Sequence, residues 1–306
     1  MQAQIRPVSQ SPFQPAWWLK HAHLQTIFAK YLSPKQRVST QAEMFSLPDG
    51  DEIQLNWLAN TASDDQAPLL ILLHGLAGDI NSHYIQAMLA QCQQLNWPAV
   101  LMHFRGCNGK PNKLPRAYHS GDTADAALLI SEVQRRYPNR PLVAVGYSLG
   151  GNVLLKYCGE QAEQNPLAAA VAVCPPLSLA ACAKRINSGA SKLYQRYLLG
   201  RLKRSTLAKL QQFTDFPLPL TPQQVQGFSS IEQFDELVDL LACAGDFEDE
   251  ALIRRVDHMR PENLPDPQRL GRHRQGATRL GQGVAQGVVQ AGFELVAGGV
   301  HRWGLD

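Results

Sequence analysis

The sequence predicts an α/β fold, a mostly parallel central sheet flanked by helices, and three observations predict it. Four short apolar runs without polar alternation recur along the chain: Leu69-Leu70-Ile71-Leu72-Leu73, Ala99-Val100-Leu101-Met102, Leu142-Val143-Ala144-Val145 and Ala168-Ala169-Ala170-Val171-Ala172-Val173. Runs this short and this apolar suit strands covered on both faces, as parallel strands are. Amphipathic stretches at 82–95, 122–137 and 151–164 lie between them, and strand alternating with helix gives a doubly wound sheet. Finally, 44% of the 306 residues are hydrophobic and the formal net charge is only +3, so the chain can bury a core and is not disordered throughout.

Residues 1–44 are expected to form an N-terminal helical extension. Ala16-Trp17-Trp18-Leu19 and His21-Ala22-His23-Leu24-Gln25-Thr26-Ile27-Phe28 repeat apolar positions at helical spacing, which predicts a helix packed onto the main body. From residue 43 to 58 the pattern alternates around Pro48-Asp49-Gly50-Asp51. Alternation with an Asp-Gly pair, which tolerates positive φ, predicts a hairpin. The helix at 122–137 takes Ala126, Leu128, Leu129 and Val133 as its apolar stripe and Gly121-Asp122-Thr123 as its cap. After Pro175 the rhythm stops, and Lys192-Leu193-Tyr194-Gln195-Arg196-Tyr197-Leu198-Leu199-Gly200-Arg201-Leu202-Lys203 predicts a helical cap inserted over about 176–228. Such a basic amphipathic helix also suits a membrane surface, so peripheral membrane contact stays open. Residues 45–306 form the second expected unit, and within it residues 261–306 stand apart, holding nine of the 23 glycines and only two aromatic residues, Phe293 and Trp303.

Composition excludes several classes. An excess of 29 Lys and Arg over 26 Asp and Glu is too small to indicate nucleic acid as a partner. No apolar run is long enough to span a bilayer, and the first residues lack the apolar stretch of a secretory signal. The six cysteines, Cys92, Cys107, Cys158, Cys174, Cys182 and Cys243, form no C-x-x-C pair. They read as small apolar residues in a reducing, cytoplasmic compartment, not as metal ligands.

The sharpest local signal is Gly146-Tyr147-Ser148-Leu149-Gly150, which follows an apolar strand and precedes Gly151-Asn152-Val153-Leu154-Leu155-Lys156-Tyr157. A serine between strand and helix, flanked by glycines that clear the crowded turn, is the sequence form of a nucleophile elbow. Ser148 is therefore the candidate nucleophile, and it needs a base to take its proton. Upstream, His74-Gly75-Leu76-Ala77-Gly78 follows the strand ending at Leu73. Small residues there bring a backbone N–H to the developing oxyanion, so Leu76 and Leu149 are the candidate oxyanion-hole donors. His74 lies before the nucleophile at a strand end and reads as a loop-shaping residue. Arg105 and His119 either line the site or pin a long loop. His103 and His119 have no carboxylates at ligand spacing, so no metal site is expected.

Taken together, His23-Leu24-Gln25-Thr26-Ile27, His74-Gly75-Leu76-Ala77-Gly78, Phe104-Arg105-Gly106-Cys107, Tyr118-His119-Ser120-Gly121 and Gly146-Tyr147-Ser148-Leu149-Gly150-Gly151-Asn152 resemble the bacterial YheT group of α/β-hydrolases. That group is related to eukaryotic α/β-hydrolase-domain lipases and alcohol acyltransferases. The resemblance covers roughly residues 13–260 and implies the α/β-hydrolase fold, an esterase-type serine hydrolase, triad order Ser, Asp, His, and no metal or organic cofactor. It also makes Phe234-Asp235-Glu236-Leu237-Val238 part of the pattern after the cap.

The chain then departs from that pattern. The family has an apolar strand ending in an Asp-Asp-Pro turn that supplies the triad acid, then a Gly-Gly-His segment that supplies the base. Here no apolar run occurs between Met259 and Gln282, and Asp266-Pro267 is the nearest remnant of the acid turn. Phe293-Glu294-Leu295-Val296-Ala297 reads as a strand before Gly298-Gly299-Val300-His301, so His301 is the candidate base, displaced by one residue. The abrupt Gly, Gln and Arg enrichment suggests an altered reading frame from about residue 261. The expected function is cleavage of small carboxylic esters of short to medium acyl chain through an acyl-enzyme on Ser148. The alternative is an impaired relative that binds a small apolar ligand.

Overall fold

The structure, a computed structural model, describes residues 14–31, 37–59, 67–214, 216 and 220–234. The expectations placed on Asp235, Cys243, Asp266, the strand at 293–297 and His301 lie outside the described residues.

A six-stranded mixed sheet organises the chain, in the order β1-β2-β4-β3-β5-β6. Its strands are β1 (Thr40–Ser46), β2 (Glu52–Leu58), β3 (Leu69–Leu73), β4 (Ala99–Met102), β5 (Leu142–Tyr147) and β6 (Leu167–Val173). The first two form the expected hairpin, with Gly50 at φ +86° in its turn, and β2 joins β4 antiparallel. From β4 through β3 and β5 to β6 all pairings are parallel.

Both faces of the inner parallel strands β3 and β4 are buried, which is why their sequences show no polar alternation, whereas the edge strand β6 exposes Ala168 and Ala169. Leu69, Ile71 and Leu73 of β3 pack in one cluster with Leu129, Val133 and Val153, while Leu70 and Leu72 pack on the other face with Ile85 and Leu89. The flanking helices are α2 (His83–Gln94) on that second face, and α3 (Ala124–Arg136) and α4 (Leu149–Gln161) on the first. Two details of α3 differ from expectation. Ile130 completes the buried stripe while Leu128 is only half-buried, because the helix turns Leu128 to the margin of the sheet. Thr123 occupies the N-cap without a capping bond, its backbone already helical at φ −94° and ψ −14°, and its hydroxyl donates to Glu160.

The chain leaves β3 to one side, for β4, and leaves the neighbouring β5 to the other, for β6. Neighbouring strands whose connections diverge leave a crevice at their carboxyl ends, where ligands of open α/β sheets bind. Leu73 pairs with Gly146 there, so the His74 loop and the Ser148 turn emerge side by side.

The cap is helical as expected, with α5 (Leu179–Ile186), α6 (Lys192–Gln212) and α7 (Pro222–Gly227). A capping box from Thr221 to Gln224 starts α7. Leu199, Leu202 and Phe234 form a small core with Phe216, Leu220 and Phe228, against which Leu76 and Ala77 pack. The cap therefore sits on the loop after β3. The N-terminal helix α1 (Ala22–Tyr31) forms where expected, but none of its residues is buried. It meets the cap edge-on, His23 Nδ1 lying 3.1 Å from the Tyr194 hydroxyl, and is not packed into the body.

Candidate active site

Ser148 stands at the N-cap of α4 with φ +50° and ψ −116°, a region that L-residues occupy only when the surroundings enforce it. Two enforcing contacts are visible. Its N–H donates to the Val173 carbonyl at 2.8 Å, fastening the turn to β6. The glycines around it also permit a backbone approach that no side chain would allow. A Cβ on Gly150 would lie 2.5 Å from the His74 carbonyl oxygen, and one on Gly146 would collide with the Gly150 carbonyl. The strained serine is exposed, and as the first residue of α4 Leu149 points an N–H without an intrahelical acceptor past it.

The His74–Gly78 loop lies against this turn, so closely that a Cβ on Gly75 would be 3.2 Å from Ser148 Cβ. Its polar groups are held one by one. The Gly75 N–H donates to the Tyr84 hydroxyl at 3.0 Å, the Ala77 N–H to the Tyr118 hydroxyl at 2.9 Å, and the Gly78 N–H to the Gly75 carbonyl at 2.9 Å. Among the described residues the N–H of Leu76, between the two tyrosine-bound amides, has no acceptor. Tyr118 stacks on Phe104 with ring centroids 5.0 Å apart, and Tyr84 packs on Tyr147 at 4.6 Å. Burial raises the pKa of both phenols, so they stay neutral and keep accepting these bonds.

His74 is shaped for support. It is fully buried, with Nδ1 2.7 Å from the Gly75 carbonyl and Nε2 accepting the Phe104 N–H at 3.1 Å. Those partners place its proton on Nδ1. Desolvation pushes its pKa down to about 3. Both ring nitrogens are thus engaged and the ring is neutral, which bears out the loop-shaping reading.

Arg105 pins a loop and does not line the site. Its guanidinium is buried, contacting Asp49 at 2.6 Å and Asp51 at 2.9 Å through Nη1 and gripping Asp125 through Nε and Nη2 at 2.8 and 2.7 Å. Desolvation opposes its charge, but the bonds and charges of Asp125 and Asp49 outweigh that and raise its pKa. The segment from β4 to α3 is thereby tied to the β1–β2 turn. His119 accepts the Gly121 N–H at 3.1 Å through Nδ1, and Asn152 of α4 donates to the Ser120 carbonyl at 3.0 Å, joining this loop to the helix behind Ser148. Among the described residues no group of His, Cys, Asp and Glu could hold a metal ion. Cys92 is buried and Cys107 and Cys158 half-buried, as expected, but Cys174 and Cys182 are exposed. Those two follow β6 and lie in α5, where the cap begins and little packs on them.

Residues 68–225 match the family model described as alpha/beta hydrolase fold. The chain belongs to the α/β-hydrolase family. It is of the YheT type: it is 37% identical over 230 residues, 75% of this chain and 67% of the relative, to the Escherichia coli (strain K12) protein named "Putative esterase YheT". It is also similar to the mouse protein named "Phospholipase ABHD3", at 28% over 235 residues covering 75% of this chain and 57% of that one. A third relative is the Saccharomyces cerevisiae protein named "Monoacylglycerol lipase", at 30% over 182 residues, 58% of this chain and 40% of that one. The hydrolase chain thus spans two thirds of the first relative's length and about half of the other two.

Of the predicted site residues, the structure brings Ser148, Leu76 and Leu149 to one end of the sheet at the β3–β5 crevice. Asp266 and His301 lie outside the described residues. Tyr84 and Tyr118 were not foreseen as partners of the loop. Tyr118 belongs to a motif that the sequence does display, whereas Tyr84 carries no sequence signal beyond its place early in a helix.

Proposed function

We propose that this α/β-hydrolase cleaves carboxylic esters through an acyl-enzyme on Ser148. The observation that carries the reading is the exposed serine in a strained turn beside two backbone N–H groups, those of Leu76 and Leu149. In the proposed reaction Ser148 Oγ attacks the ester carbonyl carbon while a base takes the hydroxyl proton. The carbonyl oxygen becomes an oxyanion held by Leu76 and Leu149 N–H, with the positive end of α4 behind it. Collapse breaks the bond to the alcohol, which leaves with the proton, and water then repeats the sequence to release the carboxylic acid. His301 is the proposed base. The tyrosine clamp fits this role, because fixing the amides on either side of Leu76 aims the one between them. Phe216, Leu220 and Phe228 of the cap and Leu76 of the loop below it form an apolar contact, which suits a short to medium acyl chain; the relatives' names support ester cleavage and say nothing of chain length.

A fluorophosphonate probe tests the reading. Wild-type protein at neutral pH is expected to be labelled, and Ser148→Ala to be spared. Folded wild-type protein that takes no label would overturn it and favour the impaired, ligand-binding alternative. His301→Ala is expected to cut the labelling rate by at least about a hundredfold, in the range general bases contribute; an unchanged rate would remove His301 from the mechanism.

A further inference from the structure

The small net charge conceals a strong separation of charge. Residues 1–42 and 165–214 hold 13 of the 29 Lys and Arg and none of the 26 Asp and Glu. The rest of the chain therefore has 16 cations against 26 acids and is strongly negative. In the structure these two segments touch. Beyond the contact between His23 and Tyr194, whose rings stack with centroids 5.7 Å apart, Lys30 of α1 sits over the Tyr197 ring of α6.

Around that contact large apolar side chains stay exposed. Trp17 is 83% exposed, Tyr31 62% and Leu193 65%, with Leu24, Ile27 and Tyr197 also exposed. Helical spacing sets Leu24, Ile27 and Tyr31 on one stripe of α1 and Leu193, Tyr197 and Arg204 on one stripe of α6. The opposite stripe of α6, with Leu199 and Leu202, packs over Leu76 and Ala77. Lys192, Arg196 and Arg204 are exposed beside the apolar positions. Two basic residues of the segment are committed inward: Arg201 pairs with Asp79 at 2.8 Å, and Lys209 is buried on the Pro115 and Arg116 carbonyls.

We propose that the joined α1–α6 face docks on an anionic lipid surface, with Trp17, Leu24, Ile27 and Leu193 entering the headgroup region and Arg196, Arg204 and Lys192 meeting lipid phosphates. Charge complementarity selects this occupant. A second copy of the chain docking by the same face would bring an equal excess of positive charge and repel. Nucleic acid would satisfy the cations but offers nothing to the aliphatic side chains, whereas a bilayer interface takes both. No helix among the described residues is long and apolar enough to cross a membrane, so the contact is peripheral. The proposal goes beyond the ester-cleavage reading and does not depend on it, and its test reads binding, so either can fail alone.

The experiment is co-sedimentation of the full chain with phosphatidylcholine vesicles, with and without about one third phosphatidylglycerol, at low ionic strength and at about 0.5 M salt. The expected result is binding to the anionic vesicles that salt weakens, with little on the neutral ones. Arg196→Ala with Arg204→Ala should weaken binding roughly 30-fold, at about fivefold per cation near a charged surface. Trp17→Ala with Leu193→Ala should weaken it further while leaving the circular dichroism unchanged. Equal binding to neutral and anionic vesicles would overturn the proposal. So would wild-type affinity in both double variants, or binding to a DNA oligonucleotide with none to vesicles.

Discussion

The two sides of the cap are built on opposite terms. Beneath it, around Ser148, backbone groups are fixed by named partners and glycines are required where atoms would otherwise overlap. On its outer side, α1 and α6 meet through two ring contacts and leave their large side chains uncovered among the described residues. The inner region resists change because its geometry is over-determined. The outer one is ordered by few contacts, so changes there should be felt in binding and hardly in the fold.

The sharpest way to break that contrast is Gly150→Ala. A Cβ at 2.5 Å from the His74 carbonyl oxygen and 2.6 Å from that of Leu73 cannot be relieved by a side-chain rotation, because every atom involved is backbone. Thermal unfolding is expected to show a variant that is unfolded or destabilised by several kcal/mol, at the upper end of single substitutions. A wild-type midpoint would show that β3 and α4 are not as tightly apposed as described.

Arg105→Met comes next. It leaves Asp49, Asp51 and Asp125 without their shared cation, and losing one partner of a buried ion cluster costs about 3–5 kcal/mol. Urea denaturation at neutral pH measures it, and a wild-type midpoint would show that the cluster does not hold the loop to the β1–β2 turn.

The pH dependence of the wild type follows from buried rings. His74, its pKa pushed to about 3, and His103, lowered by burial, are held neutral in the folded chain. In the unfolded chain they take up protons below about pH 6.5. The unfolded state thus binds more protons as pH falls, and stability declines from about 6.5 downward, toward the folded pKa of about 3 for His74. Urea midpoints between pH 7 and 5 should fall steadily, before most carboxylates titrate. A flat profile there would contradict the neutral, doubly engaged His74.

Much of this inner region was legible in sequence because its signals are local. The runs at 69–73 and 99–102 became strands with the bounds read for them, since burial on both faces selects uninterrupted apolar residues. Gly146 and Gly150 marked the elbow because their missing side chains are themselves the requirement. What could not be read is what long-range contact decides. Nothing near Arg105 announces Asp49, Asp51 and Asp125, and nothing near Leu76 announces Tyr84. The cap helix α6 runs nine residues past the 203 expected of it, because its last turns bury Thr206 and Lys209 instead of an apolar stripe. The outer face was half legible: its basic pattern was visible, but only the structure shows α1 beside α6.

Tyr118→Phe sharpens the comparison on its inner side. The substitution keeps the ring stacked on Phe104 and removes only the oxygen that accepts the Ala77 N–H, so the fold should lose no more than about 1–3 kcal/mol. If the clamp aims Leu76, turnover of a chromogenic ester should fall about tenfold with KM nearly unchanged, because an oxyanion donor acts on the transition state. Equal losses in kcat/KM through KM alone would make the tyrosine a packing residue.

The smallest expected effect lies on the outer side, and its smallness is the point. Leu193→Ser removes a side chain that is already exposed, so no cavity opens and no buried polar group is created. The unfolding free energy should move by less than about 0.5 kcal/mol. A loss of 2 kcal/mol or more would mean that the folded chain already covers Leu193, and the surface left for a bilayer would shrink accordingly. An unchanged stability with weakened vesicle binding would instead separate the two sides of the cap cleanly: the same helix α6 would hold the loop after β3 with Leu199 and Leu202, and a membrane with the residues turned away from them.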